Sequence, residues 1–171
     1  MKNYLFCLVV FVLITVLGCT SLNPSFGITS FGQTATSSRN TLEGKMTAET
    51  FVVIPMGMSL SSDDDMGLKI GRVKQNDKII SYYFRAEVHT SNWIFAENIG
   101  IKIDDQTYRL HDSNPNRQVQ SGQYVIEILT FDITPKMLEE LRNAKTFTAE
   151  LYKRVVTIKP EELEKVKEFI K

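Results

Sequence analysis

The stretch Lys78-Ile79-Ile80-Ser81-Tyr82-Tyr83-Phe84-Arg85-Ala86-Glu87-Val88-His89 decides the fold class. Ile80, Tyr82, Phe84, Ala86 and Val88 fall on one face of an extended chain, and Ser81, Arg85 and Glu87 on the other. A period of two predicts a strand with one face in a core and one toward water. Working outward, Thr50 to Ile54 is a short strand candidate closed by Pro55, and Leu68 to Lys74 alternates less cleanly through Leu68, Ile70 and Arg72. Trp93 to Ala96 and Ile99 to Ile103 are expected as strands, with Asp104-Asp105-Gln106 a tight turn into Tyr108 and Leu110. Tyr124 to Ile133 is apolar on both faces, which suits a strand covered on both sides.

Helical spacing occurs twice. Thr134-Pro135 places an N-cap before a proline at the first helical position, and Met137, Leu138, Leu141 and Ala144 then recur at the helical period. Strands from Phe147 to Tyr152 and from Val155 to Ile158 lead to Pro160, which opens a terminal helix. Glu161 and Glu162 in its first turn and Lys165, Lys167 and Lys171 later complement the helix dipole, while Leu163, Val166, Phe169 and Ile170 form the face to bury. The expected fold is mainly β, of the α+β class: an antiparallel, β-sandwich-like domain over residues 45–171, with a short helix and a C-terminal amphipathic helix.

The amino terminus carries a different signal. Lys2, an uncharged apolar run from Leu5 to Leu17, and Val16-Leu17-Gly18-Cys19 follow in order. The run is about 13 residues, roughly 20 Å as a helix, where spanning a bilayer takes about 20 residues. A basic start, an apolar middle and a small residue at the cut form the layout of a secretory signal over residues 1–18. The arrangement resembles the bacterial lipoprotein signal. That resemblance implies a diacylglycerol thioether on Cys19, cleavage before it, and acylation of the new amino group. Two or three acyl chains hold a protein stably at a membrane, because each buried methylene contributes about 0.8 kcal/mol. Thr20, in place of an inner-membrane retention aspartate, implies the outer membrane if the host is Gram-negative. Cys7 leaves with the signal, so no disulfide framework is expected.

Residues 19–44 are expected to be the lipidated cysteine and a flexible tether. From Thr20 to about Thr41 the chain is rich in Ser, Thr, Gly, Asn and Gln, with Arg39 as its one charge. The competing expectation is that Phe26-Gly27 and Phe31-Gly32 add an edge strand to the domain.

The 20 basic and 20 acidic residues balance, which argues against electrostatic capture of nucleic acid. His89 and His111 are the two histidines, and neither has a second ligand at zinc spacing. Asp63-Asp64-Asp65 would point its oxygens in diverging directions, unlike a calcium loop, and Met56-Gly57-Met58 offers copper(I) only two soft ligands. No metal and no cofactor are expected. Glu127 stands out because Val125, Leu129 and Phe131 share its face; a carboxylate there must be paired, hydrogen-bonded or neutral. The expectation is a structural ion pair with an arginine such as Arg109 or Arg85. The polar stretch from His111 to Gly122, with His111, Asp112, Asn114 and Arg117, is the candidate contact loop.

Asn92-Trp93-Ile94-Phe95, Ile101-Lys102-Ile103-Asp104, Val125-Ile126-Glu127 and the Thr-Pro helix ending in Asn143-Ala144-Lys145 together resemble poorly characterised β-rich domains of exported bacterial proteins, over about Ile80 to Lys171. The resemblance brings no established activity. The expected function is that of a lipid-anchored, non-enzymatic binding or structural module of the cell envelope, contacting the membrane through Cys19 and an envelope protein or ligand through its domain. The alternatives are a small envelope enzyme using the Glu127 region and an accessory subunit of an envelope assembly.

Overall fold

The computed structural model describes residues 30–56, 64–120, 124–152 and 154–171. The strands are β1 (Thr34–Thr41), β2 (Gly44–Ile54), β3 (Asp64–Gln75), β4 (Lys78–Thr90), β5 (Asn98–Ile103), β6 (Gln106–His111), β7 (Asn116–Gln120), β8 (Tyr124–Asp132), β9 (Phe147–Leu151) and β10 (Arg154–Thr157). Helix α1 (Pro135–Asn143) lies between β8 and β9, and α2 (Pro160–Phe169) closes the chain. The strands form two antiparallel sheets, in the orders β1-β2-β3-β4-β8-β7 and β10-β9-β5-β6. The expected β-rich α+β class is the observed one.

The alternation in β4 does what the pattern requires. Tyr82, Phe84, Ala86 and Val88 are buried, and Phe84 meets Phe147 of the other sheet with ring centroids 6.0 Å apart. Both sheets and both helices therefore share one core, to which α1 contributes Met137 and Leu141 and α2 contributes Leu163 and Val166. The pattern fails at Ile80. Ser81 is opposite Val73 and Ile79 opposite Lys74, so a bulge falls at Ile80 and turns it outward, 51% exposed.

Helix caps follow the local sequence. The Thr134 hydroxyl accepts from Met137 N at 3.2 Å, and Glu162 reaches back to Lys159 N at 3.0 Å. At the other end of α2, the carbonyls of Phe169 and Ile170 accept from Arg72 (2.8 Å), Tyr82 Oη (3.1 Å) and Arg142 (3.2 Å). Terminal helix carbonyls have no intrahelical donor, so these three side chains tie the last helix to β3, β4 and α1.

Three expectations are corrected here. Residues 34–41, expected as tether, form β1 and pair with β2 in unbroken register from Thr34 opposite Phe51 to Thr41 opposite Gly44. Its mostly exposed Ser and Thr side chains hide it from any periodicity test, because an edge strand wet on both faces needs no apolar alternation. Trp93 to Ala96 is a loop, not a strand: it carries the chain from the first sheet to the second. The stretch from His111 to Gly122 is not one long loop either. Residues 112–115 return the chain to the first sheet, and β7 follows as its edge strand. The expected signal, Cys19 and the start of the tether lie outside the described residues.

Candidate functional site: an aromatic loop held by a buried carboxylate

Glu127 sits on β8 with Val88 of β4 on one side and Arg117 of β7 on the other. Its side chain is 0% exposed. The sheet pleat aims it at the core, as Val125, Leu129 and Phe131 at the same parity imply, and there the crossing loop 91–97 meets it. Oε1 accepts from Ile94 N at 2.8 Å and Phe95 N at 3.0 Å; Oε2 accepts from Ala96 N at 2.9 Å and Arg117 Nε at 3.1 Å. Four donors meet its two oxygens, and one of them brings a compensating charge. A buried carboxylate needs that arrangement, since its desolvation is otherwise too costly.

Arg117, not Arg109 or Arg85, is the partner. Arg109 pairs with Glu150 and Arg85 with Glu87. Arg85 is excluded by strand parity, because it lies on the opposite face of β4 from Val88. Arg117 also donates to the Ala96 carbonyl at 3.4 Å, approaches Glu97 at 3.7 Å, and stands over the Phe95 ring at 5.4 Å.

The loop is shaped by these bonds. Ile94 and Ala96 are half-buried against the core, whereas Trp93 and Phe95 point outward, 37% and 64% exposed. Phe95 has φ of +52°. A left-handed backbone costs a non-glycine residue roughly 1–2 kcal/mol. Hydrogen bonds to a charged group contribute about 1.5–3 kcal/mol each, so the carboxylate outweighs the strain. The result is an aromatic pair, Trp93 and Phe95, with ring centroids 6.4 Å apart and a fixed backbone beneath it.

Of the proposed contact residues, His111 is exposed and its Nδ1 lies 3.1 Å from Asn98 Oδ1; Asn114 is exposed on the short return. Asp112 is scaffold: it accepts from Asn114 N at 2.9 Å and from Thr130 N at 2.8 Å, where β8 has run past the start of β7. Arg117 is scaffold too. The structure thus divides the four between surface and support, and adds Trp93 and Phe95 beside Arg117.

A second polar cluster lies on the opposite face of the first sheet. Glu87 is buried and holds Lys69 Nζ and Arg85 Nε, each at 2.9 Å. His89, two residues along, is pushed below its ordinary pKa by burial, against the pull of Glu87 and Asp65. Tyr83 on this face is pushed up by burial, and Gly71 opposite it leaves room for its ring, since a Cβ there would sit 2.2 Å from Tyr83 Cζ. The sheet itself separates His89 from Glu127. Asp65 pairs with His89 in the ladder, while Asp63, Gly57 and Met58 lie outside the described residues. Among the described residues, no three His, Cys, Asp or Glu side chains converge as a metal site.

Neither a family model, nor a curated protein, nor a solved structure matches this chain.

Proposed function

We propose that this chain is a lipid-anchored lipoprotein of the cell envelope, acylated at Cys19, whose β-rich domain is a non-enzymatic binding or structural module. The observation that carries the reading is Val16-Leu17-Gly18-Cys19 at the end of an apolar run too short to span a bilayer. Among the described residues no helix is long and apolar enough to cross a membrane, so the acyl groups are the anchor in this reading. The Trp93–Phe95 loop supports a binding role, because a strained, exposed aromatic pair on a rigid support is a contact surface in the making. Glu127 supports the non-enzymatic half: its oxygens are engaged by Ile94, Phe95, Ala96 and Arg117, and its nearest histidine in sequence register lies across the sheet.

The test is Cys19→Ala in the producing cell. The variant is expected to take up no labelled fatty acid and to keep its precursor length. Normal processing with retained label would overturn the reading.

A further inference from the structure

We infer that Trp93 and Phe95 dock the domain onto the surface of the bilayer that holds its anchor; the inference rests on the lipoprotein reading above. Three observations converge on it. The first is the patch itself. Trp93 and Phe95 are exposed side by side, and Val119 on β7, 65% exposed, shares the strand face of Arg117, which touches Phe95. Aromatic rings flanked by an arginine suit the headgroup boundary, where an apolar body and a polar rim are both accommodated.

The second is where the chain enters. Gly32 donates to the Val52 carbonyl and Val52 N to that of Gln33, so the segment arriving from Cys19 joins the first sheet near the C-terminal end of β2. The sheet is antiparallel throughout, so that end also holds the start of β3, the end of β4 and the start of β8. Loop 91–97 leaves from the end of β4. In register Val52 lies opposite Lys69 and Lys69 opposite Arg85. The entry is therefore on the same half of the sheet as the aromatic loop but five residues, about 17 Å, short of the end of β4 from which the loop leaves. From β1 to β8 the lateral distance is about 19 Å, four strand spacings of ~4.8 Å, whereas the roughly 11 residues from Cys19 to Ser30 reach at most ~40 Å. An anchor at Cys19 is thus long enough to let this end rest on the lipid.

The third is the support. Glu127 is buried with its charge spent on holding three consecutive backbone N–H groups of the loop, including that of the left-handed Phe95. A loop that only needed to cross between sheets would not require a phenylalanine at positive φ pointing into water. Pre-organised rings lose little freedom on docking, which favours insertion.

Trp93 is the one tryptophan of the chain, so its fluorescence reports the event directly. The protein isolated from its own membranes would be reconstituted in phosphatidylcholine vesicles with and without bromine on the acyl chains, after fatty-acid labelling. Docking predicts a blue-shifted Trp93 and loss of roughly half its emission to bromine, as for a ring seated about 5–10 Å into the boundary. Phe95→Asp should reduce the quenching at least twofold while the acyl anchor keeps the protein on the vesicle, because aspartate tolerates the left-handed backbone that Phe95 adopts. Labelled, vesicle-bound protein with an unshifted and unquenched Trp93 would overturn the docking and leave the lipoprotein reading standing. Absence of the label would overturn both.

Discussion

Glu127 and Asp104 perform the same hydrogen-bonding task under opposite conditions. Each carboxylate gathers consecutive backbone N–H groups from a segment distant in sequence: Glu127 takes those of Ile94, Phe95 and Ala96, and Asp104 takes those of Lys145 (2.9 Å) and Thr146 (2.7 Å). Each also sits beside a left-handed residue, Phe95 in the first case and Asp104 itself, at φ +50°, in the second. The difference is water. Asp104 lies at the solvent-facing turn between β5 and β6, and its hydrogen-bond donors among the described residues are Lys145 N, Thr146 N and the Thr146 hydroxyl, with no arginine or lysine side chain. Glu127 has lost its water, so Arg117 is obligatory. One junction clips a turn to the segment that leads into β9; the other holds a strained loop between the sheets and is expected to carry more of the stability.

That contrast can be broken most decisively at Glu127. Glu127→Ala strands three loop donors and a guanidinium, and is expected to cost about 3–5 kcal/mol by denaturant unfolding. Glu127→Gln keeps the volume and one acceptor but turns an amide toward donors, and should cost about 2–3 kcal/mol. Costs below about 1 kcal/mol for both would place the two carboxylates on one footing and end the contrast.

Arg117→Met asks how much of the burial is offset by charge. The guanidinium is partly exposed, so solvent screening reduces the loss to about 1–3 kcal/mol. A double-mutant cycle with Glu127→Gln should show coupling; independent effects would mean that the backbone donors alone hold the carboxylate.

Phe95→Gly isolates the strain. Removing the left-handed penalty of roughly 1 kcal/mol is expected to offset the lost contact with Trp93, leaving stability within about 1 kcal/mol of the wild type. A loss much beyond that, measured in the same unfolding series, would make the ring a packing element and weaken the proposal that it docks on lipid.

The smallest effect is expected at Asp104. Its pKa is held below the ordinary 3.8 by the backbone N–H groups of Thr146 and then Lys145. A carboxylate with a lowered folded-state pKa contributes stability that is complete above the ordinary value and is lost as pH falls through the folded one. Asp104→Asn should therefore flatten the stability profile below pH 3.8 and change it little near neutrality. A steep acid loss that survives in Asp104→Asn would have to come from elsewhere, Glu49 first, whose carboxyl the hydrogen-bonded Lys74 ammonium holds below its ordinary pKa.

Much of this architecture was legible residue by residue. Alternation through Tyr82, Phe84, Ala86 and Val88 marks a core-facing strand because the pleat leaves no other way to bury those side chains together. Thr134-Pro135 and Pro160 mark helix starts because proline has no N–H to satisfy and its φ is already helical. Glu127 was legible as an acid in an apolar strand, but its partner was not: Arg117 reaches it only because β7 pairs beside β8 in a register that no local pattern encodes. Trp93 to Ala96 misled for a related reason. Four large or apolar residues resemble a strand, yet half of them face out and the loop's shape comes from a carboxylate thirty-odd residues away.

The sequence by itself determined the β-rich class, both helices and the burial of Glu127, each a matter of local sterics or of side-chain period. It also contains the whole case for a lipid anchor at Cys19. Only the tertiary structure decided that residues 34–41 become an edge strand, that Arg117 is the counter-charge, and that Phe95 is held in a left-handed backbone facing water. Those outcomes depend on pairings between segments far apart in the chain. Their energies come from desolvation and hydrogen-bond geometry, which exist only once the two sheets have closed on each other.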